Sequence, residues 1–248
     1  MARRTGYTTE RRSPPWVLGV ETTTPRGGLA VLAGGETAAA IRFSAWMSPS
    51  RGLLPSLRFL LEGLGLALED VSAYAVAVGP GSFTGIRVGL ATVRGLAMAT
   101  GRPLAGISSF AAVAEAADDG EDLVAPWLEA GRGEVYGALF GRAPGGRLTP
   151  APPERSGAVG PPGRLLSRLP PRPIHFAGGG AVRHAGEIRR RPGAHRRDRI
   201  TFHSPGLAAA VARLGQAALE EGTAAPCRPC YIRPPDATRG SAHKEAGR

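Results

Sequence analysis

The chain has 248 residues, of which 42% are hydrophobic and only two are cysteine, and its formal net charge is +11. This length allows one large or two small domains with a buried core, and the ordinary apolar share excludes a wholly disordered chain. Two cysteines exclude a disulfide scaffold, and no apolar run approaches the length of about 18 residues typical of a membrane helix. We therefore expect a cytoplasmic protein with no membrane span.

The positive charge is unevenly distributed along the chain. Residues 13–140 hold eight arginines against twelve acids, a net −4, whereas residues 141–248 hold nineteen bases against seven acids, a net +12. Of the 31 basic residues 30 are arginines, a skew typical of a codon preference. The stretch from Arg183 to Arg199 holds seven arginines and could contact nucleic-acid phosphates. A solvated connection is the preferred interpretation, because this stretch lacks aromatic side chains for stacking on bases.

Hydrophobic runs and turn signals predict an alternation of strands and helices in the first half. Residues 16–20, 28–33 and roughly 37–43 are predicted to be three strands of an antiparallel meander. The elements predicted after them are a leucine-rich helix at about 52–66, a buried strand at 74–78, a helix at about 84–100, a strand at 104–107 and a helix to about 117. An antiparallel start followed by crossover helices predicts a mixed α/β sheet.

The second half repeats a reduced version of this pattern after an acidic cluster at 118–122. A hairpin at 123–129 and 134–140, a short strand at 174–177 and a final helix at 205–221 capped by Ser204 are predicted. Residues 142–173, with nine prolines, are predicted to be a long loop. We expect four parts: a disordered Arg-rich extension at 1–15, a first lobe at 16–117, a smaller second lobe at 118–236 and a disordered tail at 237–248.

A glycine-rich turn from strand to helix is the most distinctive motif, and its residues are Gly79, Pro80, Gly81, Ser82, Phe83 and Thr84. Such a turn directs backbone N–H groups and a helix dipole at one point, so phosphate binding is the first hypothesis. The motif lacks the Gly-Lys-Ser/Thr ending of a Walker A loop, because Gly85 is followed by Ile86. The preferred interpretation is that the glycines bend the turn and let the helix pack closely.

The helix after this turn is apolar around most of its circumference, with only four polar side chains between residues 86 and 100. A helix that is apolar on all sides is buried on more than one side, and its own sheet covers only one. We expect its outer face to be covered by the leucine-rich helix or by a partner chain.

Five blocks of the chain together resemble the TsaB (YeaZ) family. The blocks are Leu18-Gly-Val-Glu-Thr-Thr-Thr24, Gly79–Leu90, Gly106-Ile-Ser-Ser109, Trp127–Tyr136 and Tyr231-Ile-Arg-Pro-Pro-Asp236, and they keep their order over nearly the whole chain. The resemblance implies a two-lobed α/β fold of the actin- and Hsp70-like ATPase superfamily. Each lobe is then built on a ribonuclease-H-like mixed sheet, and the second lobe is reduced.

The resemblance also implies a role. Proteins of this family are non-catalytic subunits in the formation of threonylcarbamoyladenosine, the modified adenosine next to the anticodon of tRNA. They dock through first-lobe helices onto TsaD, the transferase and a paralogue, and the ATPase TsaE joins the pair; the tRNA contact is indirect or peripheral, and a homodimer is possible. The residues expected at the docking face are Leu54, Leu57, Leu61, Gly85, Val88, Gly89, Thr92 and Gly95.

The chain departs from the family at two acidic positions. Glu21, followed by Thr22 and Thr23, stands where the family usually has Asp-Thr-Ser/Thr, and Glu129-Ala-Gly131 replaces the usual Asp-Ala-Arg. Glu21, Thr22 and Thr23 are therefore expected to be a degenerate remnant of a nucleotide site, and no cofactor and no metal are expected. The lone Cys227-Arg-Pro-Cys230 lacks the second ligand pair that a structural zinc site requires.

Two other classes of function stay open. One is a stand-alone ATPase, small-molecule kinase or peptidase-like enzyme of the same superfamily, which needs intact carboxylates or a His-x-x-x-His pair; none of the five histidines forms such a pair. The other is a free-standing RNA-binding protein, whose basic flanks would bind tRNA with an affinity that falls steeply as salt rises.

Overall fold

The computed structural model describes residues 14–43, 49–152, 157–202 and 206–233. Its first sheet has the strand order β3-β2-β1-β4-β5. The strands are β1 (Trp16–Glu21), β2 (Gly28–Ala33), β3 (Glu36–Arg42), β4 (Val71–Gly79) and β5 (Leu104–Ser108). The first three pair antiparallel, whereas β4 and β5 lie parallel to β1. The predicted mixed sheet is therefore confirmed.

Two helices, α1 (Pro49–Gly63) and α2 (Phe83–Thr100), cover one face of this sheet. Their buried side chains form one core with the inward residues of β1 and β4, and this core includes Leu53, Leu57, Leu60 and Leu61 of α1 and Ile86, Leu90 and Val93 of α2. The hydroxyl of Ser82 accepts the N–H of Gly85 and so caps α2, which ends at Gly101 with a left-handed φ of 66°.

The opposite face of the first sheet is covered by the last helix, α7 (Leu207–Glu220). The approach is close: a Cβ on Gly19 would lie 2.2 Å from the carbonyl oxygen of Ala208, and one on Gly215 would lie 2.3 Å from the Cβ of Ala75. The predicted place of this helix in the second lobe is therefore wrong, because its small residues fit the first sheet. Ser204, its predicted cap, lies outside the described residues.

The second sheet repeats the plan of the first with shorter strands, in the order β10-β7-β6-β11-β12. Its strands, with an added hairpin of β8 and β9 at β6, are β6 (Leu123–Gly131), β7 (Glu134–Gly137), β8 (Phe140–Arg142), β9 (Leu148–Pro150), β10 (Ala158–Gly160), β11 (His175–Ala177) and β12 (Arg199–Thr201). Here too three strands pair antiparallel and two join in parallel. Helix α3 (Ser109–Ala116) packs between the sheets, against α7, β4 and β6.

The segment predicted as a long loop, residues 142–173, is largely ordered into elements, so this prediction is wrong. It contains β9, β10 and α4 (Pro162–Leu166), and Leu165, Leu166 and Leu169 are buried against the second sheet. Its prolines do not interrupt these elements, since Pro162 occupies the first turn of α4, where a missing N–H removes no hydrogen bond. Residues 153–156 of this segment lie outside the described part.

The Arg-rich stretch is also folded, into α5 (Gly179–Arg183) and α6 (Ala185–Arg189). Arg191 has a fully buried side chain that pairs with Asp198 at 3.2 Å. It also donates to the carbonyl oxygens of Pro170 and Arg172, at 3.2 and 3.0 Å. The stretch is therefore more than a solvated connection, because its Arg191 joins two other loop segments of the second lobe, at 170–172 and at 198. Of the predicted terminal extensions, only Pro14 and Pro15 fall within the described residues.

Candidate functional site

The turn after β1 packs directly against the start of α2. The hydroxyl of Thr22 donates to the carbonyl oxygen of Gly85 at 2.7 Å. A Cβ on Gly85 would lie 1.9 Å from the Thr22 carbonyl oxygen, and one on Gly89 would lie 2.3 Å from the Thr22 hydroxyl. Gly85 and Gly89 therefore face the interior. Their predicted place on a docking face is wrong, because these glycines admit the chain's own turn.

This packing gives a prediction for Gly89→Ala. The added methyl group has no room, so we expect the free energy of unfolding to fall by about 1–3 kcal/mol, as overpacking usually does. Gly95→Ala on the same helix is the matched control, since nothing lies within 4 Å of its Cβ. That variant should gain up to about 1 kcal/mol from helix propensity. Urea unfolding measures the free energy of unfolding of both variants. An equal gain in stability in both would contradict the close packing of Gly89 against Thr22.

Glu21 closes its own turn instead of facing a cleft. Its side chain is buried and accepts four hydrogen bonds, from the N–H and hydroxyl of Thr23 at 2.6 Å each and from those of Thr24 at 2.9 and 2.7 Å. The Thr23 hydroxyl also lies 2.8 Å from that of Ser109 on α3. Burial raises the pKa of Glu21 above its ordinary value of 4.5, although the four hydrogen bonds oppose the shift.

The raised pKa predicts a pH dependence. Between pH 4.5 and the raised pKa the folded protein binds more protons than the unfolded chain, so this residue lowers stability as the pH rises. Glu21→Gln keeps an acceptor for the turn and removes the titration. Its melting temperature should therefore exceed that of the wild type by a margin that grows from pH 4.5 upward. A margin that is constant across the pH range would contradict this prediction.

The glycine-rich turn uses its polar backbone groups within the fold. The N–H of Ser82 donates to the carbonyl oxygen of Thr23 at 2.7 Å, and the N–H of Gly85 donates to the Ser82 hydroxyl at 3.2 Å. Gly81 has no room for a Cβ, which would lie 2.3 Å from the Thr23 carbonyl oxygen. Two of the N–H groups that would face a phosphate are thus already bonded. The geometry favours the structural interpretation of the motif.

A segment near the end of the described chain, Cys227–Arg233, crosses from the first sheet to the second, and we call it the C-terminal strap. The N–H of Cys230 donates to the carbonyl oxygen of Val78 at 2.8 Å. The ring of Tyr231 stacks on Phe83 with centroids 5.0 Å apart. At its far end Arg233 donates to the carbonyl oxygen of Ala130 at 2.7 Å. The sequence signalled this segment only as a block of family resemblance.

Both cysteines of the strap are free. Burial raises the pKa of the Cys227 thiol and also that of Cys230. Both are therefore protonated near neutral pH, the form in which a thiol is a weak nucleophile and a weak metal ligand.

The two sheets enclose a cleft that contains two adjoining cavities of about 680 and 510 Å³. Both are lined by Thr23, Pro25, Gly81 and Glu129. Among the described lining residues Glu129 is the one acid, and its carboxylate lies 3.3 Å from the guanidinium of Arg183. The larger cavity is otherwise mostly apolar, with lining residues that include Val113, Leu128, Val182, Phe202 and Leu207.

This lining does not fit a Mg²⁺–nucleotide pair. Glu21 is turned into the fold, and Glu129 is paired with an arginine. No group of three or more metal-ligating side chains occurs within the described residues. A hard cation such as Mg²⁺ is held by carboxylate oxygens and bound phosphates, and the cleft offers one paired carboxylate. No nucleotide-dependent step can be assigned to these residues.

The outer face of α2 carries a stripe of small and apolar residues, which we call the α2 stripe: Thr84, Val88, Ala91, Gly95 and Met98. They recur at spacings of three and four and so share one side of the helix. Met98 is 85% exposed, Gly95 is exposed and Val88 is half-buried. The predictions missed Met98 and Ala91, although their helical spacing from Gly95 was available in the sequence.

Helix α1 contributes less to this surface than predicted. Leu54 is 54% exposed and Thr92 of α2 is half-buried, so both are accessible. Leu57 and Leu61 lie in the core beneath α1, and their predicted role at a docking face is wrong because they hold α1 on the sheet. Phe59 is 71% exposed and was not predicted.

Comparison with known proteins adds to this geometry. Residues 48–155 match the family model described as TsaD: tRNA N6-adenosine threonylcarbamoyltransferase. The tRNA threonylcarbamoyladenosine biosynthesis protein TsaB of Escherichia coli K12 is 37% identical over 92 residues, 36% of this chain and 40% of that protein. The solved structure of YeaZ from Pseudomonas aeruginosa superposes with a TM-score of 0.71 at 28% identity, over 88% of this chain and 99% of that one.

The chain is similar to the TsaB (YeaZ) proteins in sequence and in fold. Sequence alignments with the curated TsaB relatives span 40–54% of those proteins' length. Component A of the (R)-2-hydroxyglutaryl-CoA dehydratase of Acidaminococcus fermentans shares the fold alone, with a TM-score of 0.51 at 11% identity. The two-lobed mixed α/β fold expected for a TsaB-like chain is thus confirmed. Among the described residues no helix is long and apolar enough to cross a bilayer.

Proposed function

We propose that this TsaB-like chain is a subunit of the complex that forms threonylcarbamoyladenosine on tRNA, and that it docks onto a TsaD-like transferase. The observation that carries the proposal is the α2 stripe. An exposed row of small and apolar residues on a helix lets a partner helix approach closely and bury apolar surface. The similarity to TsaB and YeaZ proteins and the TsaD-model match over residues 48–155, which include both helices, support the same surface.

The docking face in this proposal is smaller than the one expected from the sequence. It keeps Leu54, Val88, Thr92 and Gly95 and adds Ala91 and Met98. It is bounded on one side by α1 and on the other by Arg87 and Arg94, whose side chains bond the strap at Tyr231 and Cys227. Both flanks are therefore fixed by the chain's own contacts. A partner meets a surface that needs little reordering on binding.

The proposed role is non-catalytic. Because Glu21 is turned into the fold, the cleft offers the single carboxylate of Glu129, which pairs with Arg183, and one carboxylate is fewer than a metal-dependent phosphoryl-transfer site uses. A TsaE-like ATPase would join the assembled pair, tRNA would be bound mainly through the partners, and the same stripe could pair two copies of this chain when TsaD is absent. Such a complex acts where tRNA is found, which places it in the cytoplasm.

Reconstitution tests this function. Unmodified tRNA is incubated with the organism's TsaD and TsaE, the threonylcarbamoyl-adenylate donor and ATP, with and without this chain. We expect threonylcarbamoyladenosine only when the chain is present. Equal product without it would contradict the proposal. ATP hydrolysis by the purified chain alone, lost in Glu21→Gln, would instead indicate a stand-alone ATPase.

A further inference from the structure

We propose that the outer surface of the second lobe, formed by residues 162–172 and 185–199, binds the phosphate backbone of a folded RNA. We call this surface the arginine face. The inference deepens the proposed function, on which the choice of tRNA as the ligand rests. The α2 stripe lies on a helix that packs on the first sheet, whereas the arginine face belongs to the second lobe, so the two surfaces are separate.

The two segments of the arginine face are neighbours in the fold. Helix α4 packs against α6, and both lie over one core under the second sheet, into which Leu165, Leu166 and Ile188 point. The buried Arg191 bonds the backbone of Arg172, which ties the loops that follow the two helices. A Cβ on Gly193 would lie 2.7 Å from the Cβ of Pro171, a further close contact between them. Arginines far apart in sequence thus share one surface.

The charge of this surface is strongly one-sided. The two segments hold nine arginines and two acids, Glu187 and Asp198. Asp198 forms an ion pair with the buried Arg191. The carboxylate of Glu187 lies 2.8 Å from the Nδ1 atom of His184. Eight of the nine arginines are exposed, and five of these eight pair with no carboxylate of the described residues: Arg164, Arg189, Arg190, Arg196 and Arg197. A codon preference alone does not explain this surface, since residues 13–140 of the same chain carry a net charge of −4.

The chemistry of the surface favours an RNA backbone over other polyanions. Arginine guanidinium groups bind phosphate oxygens with two hydrogen bonds, and their number sets the affinity and its salt dependence. Neither segment contains Phe, Tyr or Trp, the side chains best suited to stack on an unpaired base or insert into a lipid interface. A double-helical part of a folded RNA offers such phosphates without requiring stacking. The surface therefore fits a tRNA helix read through its backbone.

The test measures binding of an unmodified tRNA transcript to the full chain alone, so failure of the docking proposal cannot affect the result. The triple variant Arg164→Gln, Arg189→Gln, Arg190→Gln removes three unpaired charges of the face. We expect binding to weaken by about tenfold or more near 0.1 M salt. The slope of log K against log salt should fall in magnitude by about 0.9 for each lost phosphate contact.

A matched triple variant controls for total charge. Arg42→Gln, Arg102→Gln and Arg228→Gln also lowers the net charge by three, at exposed positions outside the arginine face. It should bind tRNA nearly as the wild type does; the terminal segments are the same in both variants, so their contribution cancels. Equal weakening by both triples, or none by the first, would overturn the inference. Binding to phosphatidylserine vesicles without binding to tRNA would also overturn it.

Discussion

Gly95→Arg is expected to abolish copurification of the chain with the TsaD-like transferase and to leave its own fold intact. Gly95 is an exposed residue of the α2 stripe, between Ala91 and Met98, and nothing lies within 4 Å of a Cβ built on it. The substitution is therefore compatible with the free chain, whose helix should gain slightly because glycine is a poor helix former. In a helix–helix interface the same side chain would occupy the space of the partner's backbone.

The expected loss of affinity is at least about a hundredfold, because a bulky charge at the centre of an interface is desolvated without a partner. Coexpression followed by copurification and calorimetric titration measures it. Gly163→Arg is the matched control: it is the same change at an exposed glycine of a helix, α4, with no atom near its Cβ. That variant should bind the transferase normally. A Gly95→Arg chain that still binds would show that docking uses another surface.

Gly89, six positions earlier in the helix, behaves differently. Gly89→Arg would also abolish copurification, but through unfolding: its side chain would clash with Thr22 and the first lobe would unfold. The Gly95→Arg variant therefore tests docking alone, whereas the Gly89→Arg variant tests folding. Melting temperatures of the free variants separate the two effects before any binding is measured.

Arg191→Met is expected to destabilise the second lobe more than any other single substitution discussed above. Asp198, which is nearly buried, would lose its cation, and the carbonyl oxygens of Pro170 and Arg172 would lose their donors. Breaking a buried ion pair on one side costs about 3–5 kcal/mol, a large share of a typical folding free energy of about 5–15 kcal/mol. Urea unfolding should show the midpoint shift, with the second lobe melting first.

The double variant Arg191→Met, Asp198→Asn tests the cause. It removes the uncompensated charge and keeps an acceptor for one of the two N–H groups, those of Ile174 and His195, that bond the two oxygens of Asp198 at 3.0 Å each. We expect it to recover a substantial part of the lost stability. Arg147→Met, which breaks an exposed pair with Glu221, serves as the surface control and should cost less than about 1 kcal/mol. No recovery in the double variant would mean that the two carbonyl contacts matter more than the charge.

The first sheet was predictable because its strands are apolar runs separated by glycine turns, and its helices show clear periodicity. The docking face was harder, since periodicity indicates that α2 is apolar but does not indicate which side its own chain covers. Gly85 and Gly95 look alike in sequence. Only the approach of Thr22 to one of them makes it interior.

Composition alone did not predict the secondary structure and contacts of the second lobe. The prolines at 161–162 predict a loop by composition, although proline is also favourable in the first turn of a helix. Arg191 was indistinguishable from its neighbours Arg189 and Arg190, because the partner that buries it, Asp198, is recognisable only once the chain has folded back. The contacts of the C-terminal strap with both sheets could likewise not be predicted, since long-range contacts leave no periodic signal in the sequence.

The position of α7 and the strap has a consequence for synthesis on the ribosome. Residues 16–108 supply the five strands of the first sheet, yet one face of that sheet is covered by 207–220, and the flank of the α2 stripe is bonded by residues 227 and 231. A nascent chain therefore leaves an apolar sheet face uncovered until about a hundred further residues have emerged. If docking uses the α2 stripe as proposed, truncated products would present an unfinished surface to the transferase, and docking would require synthesis through about residue 231.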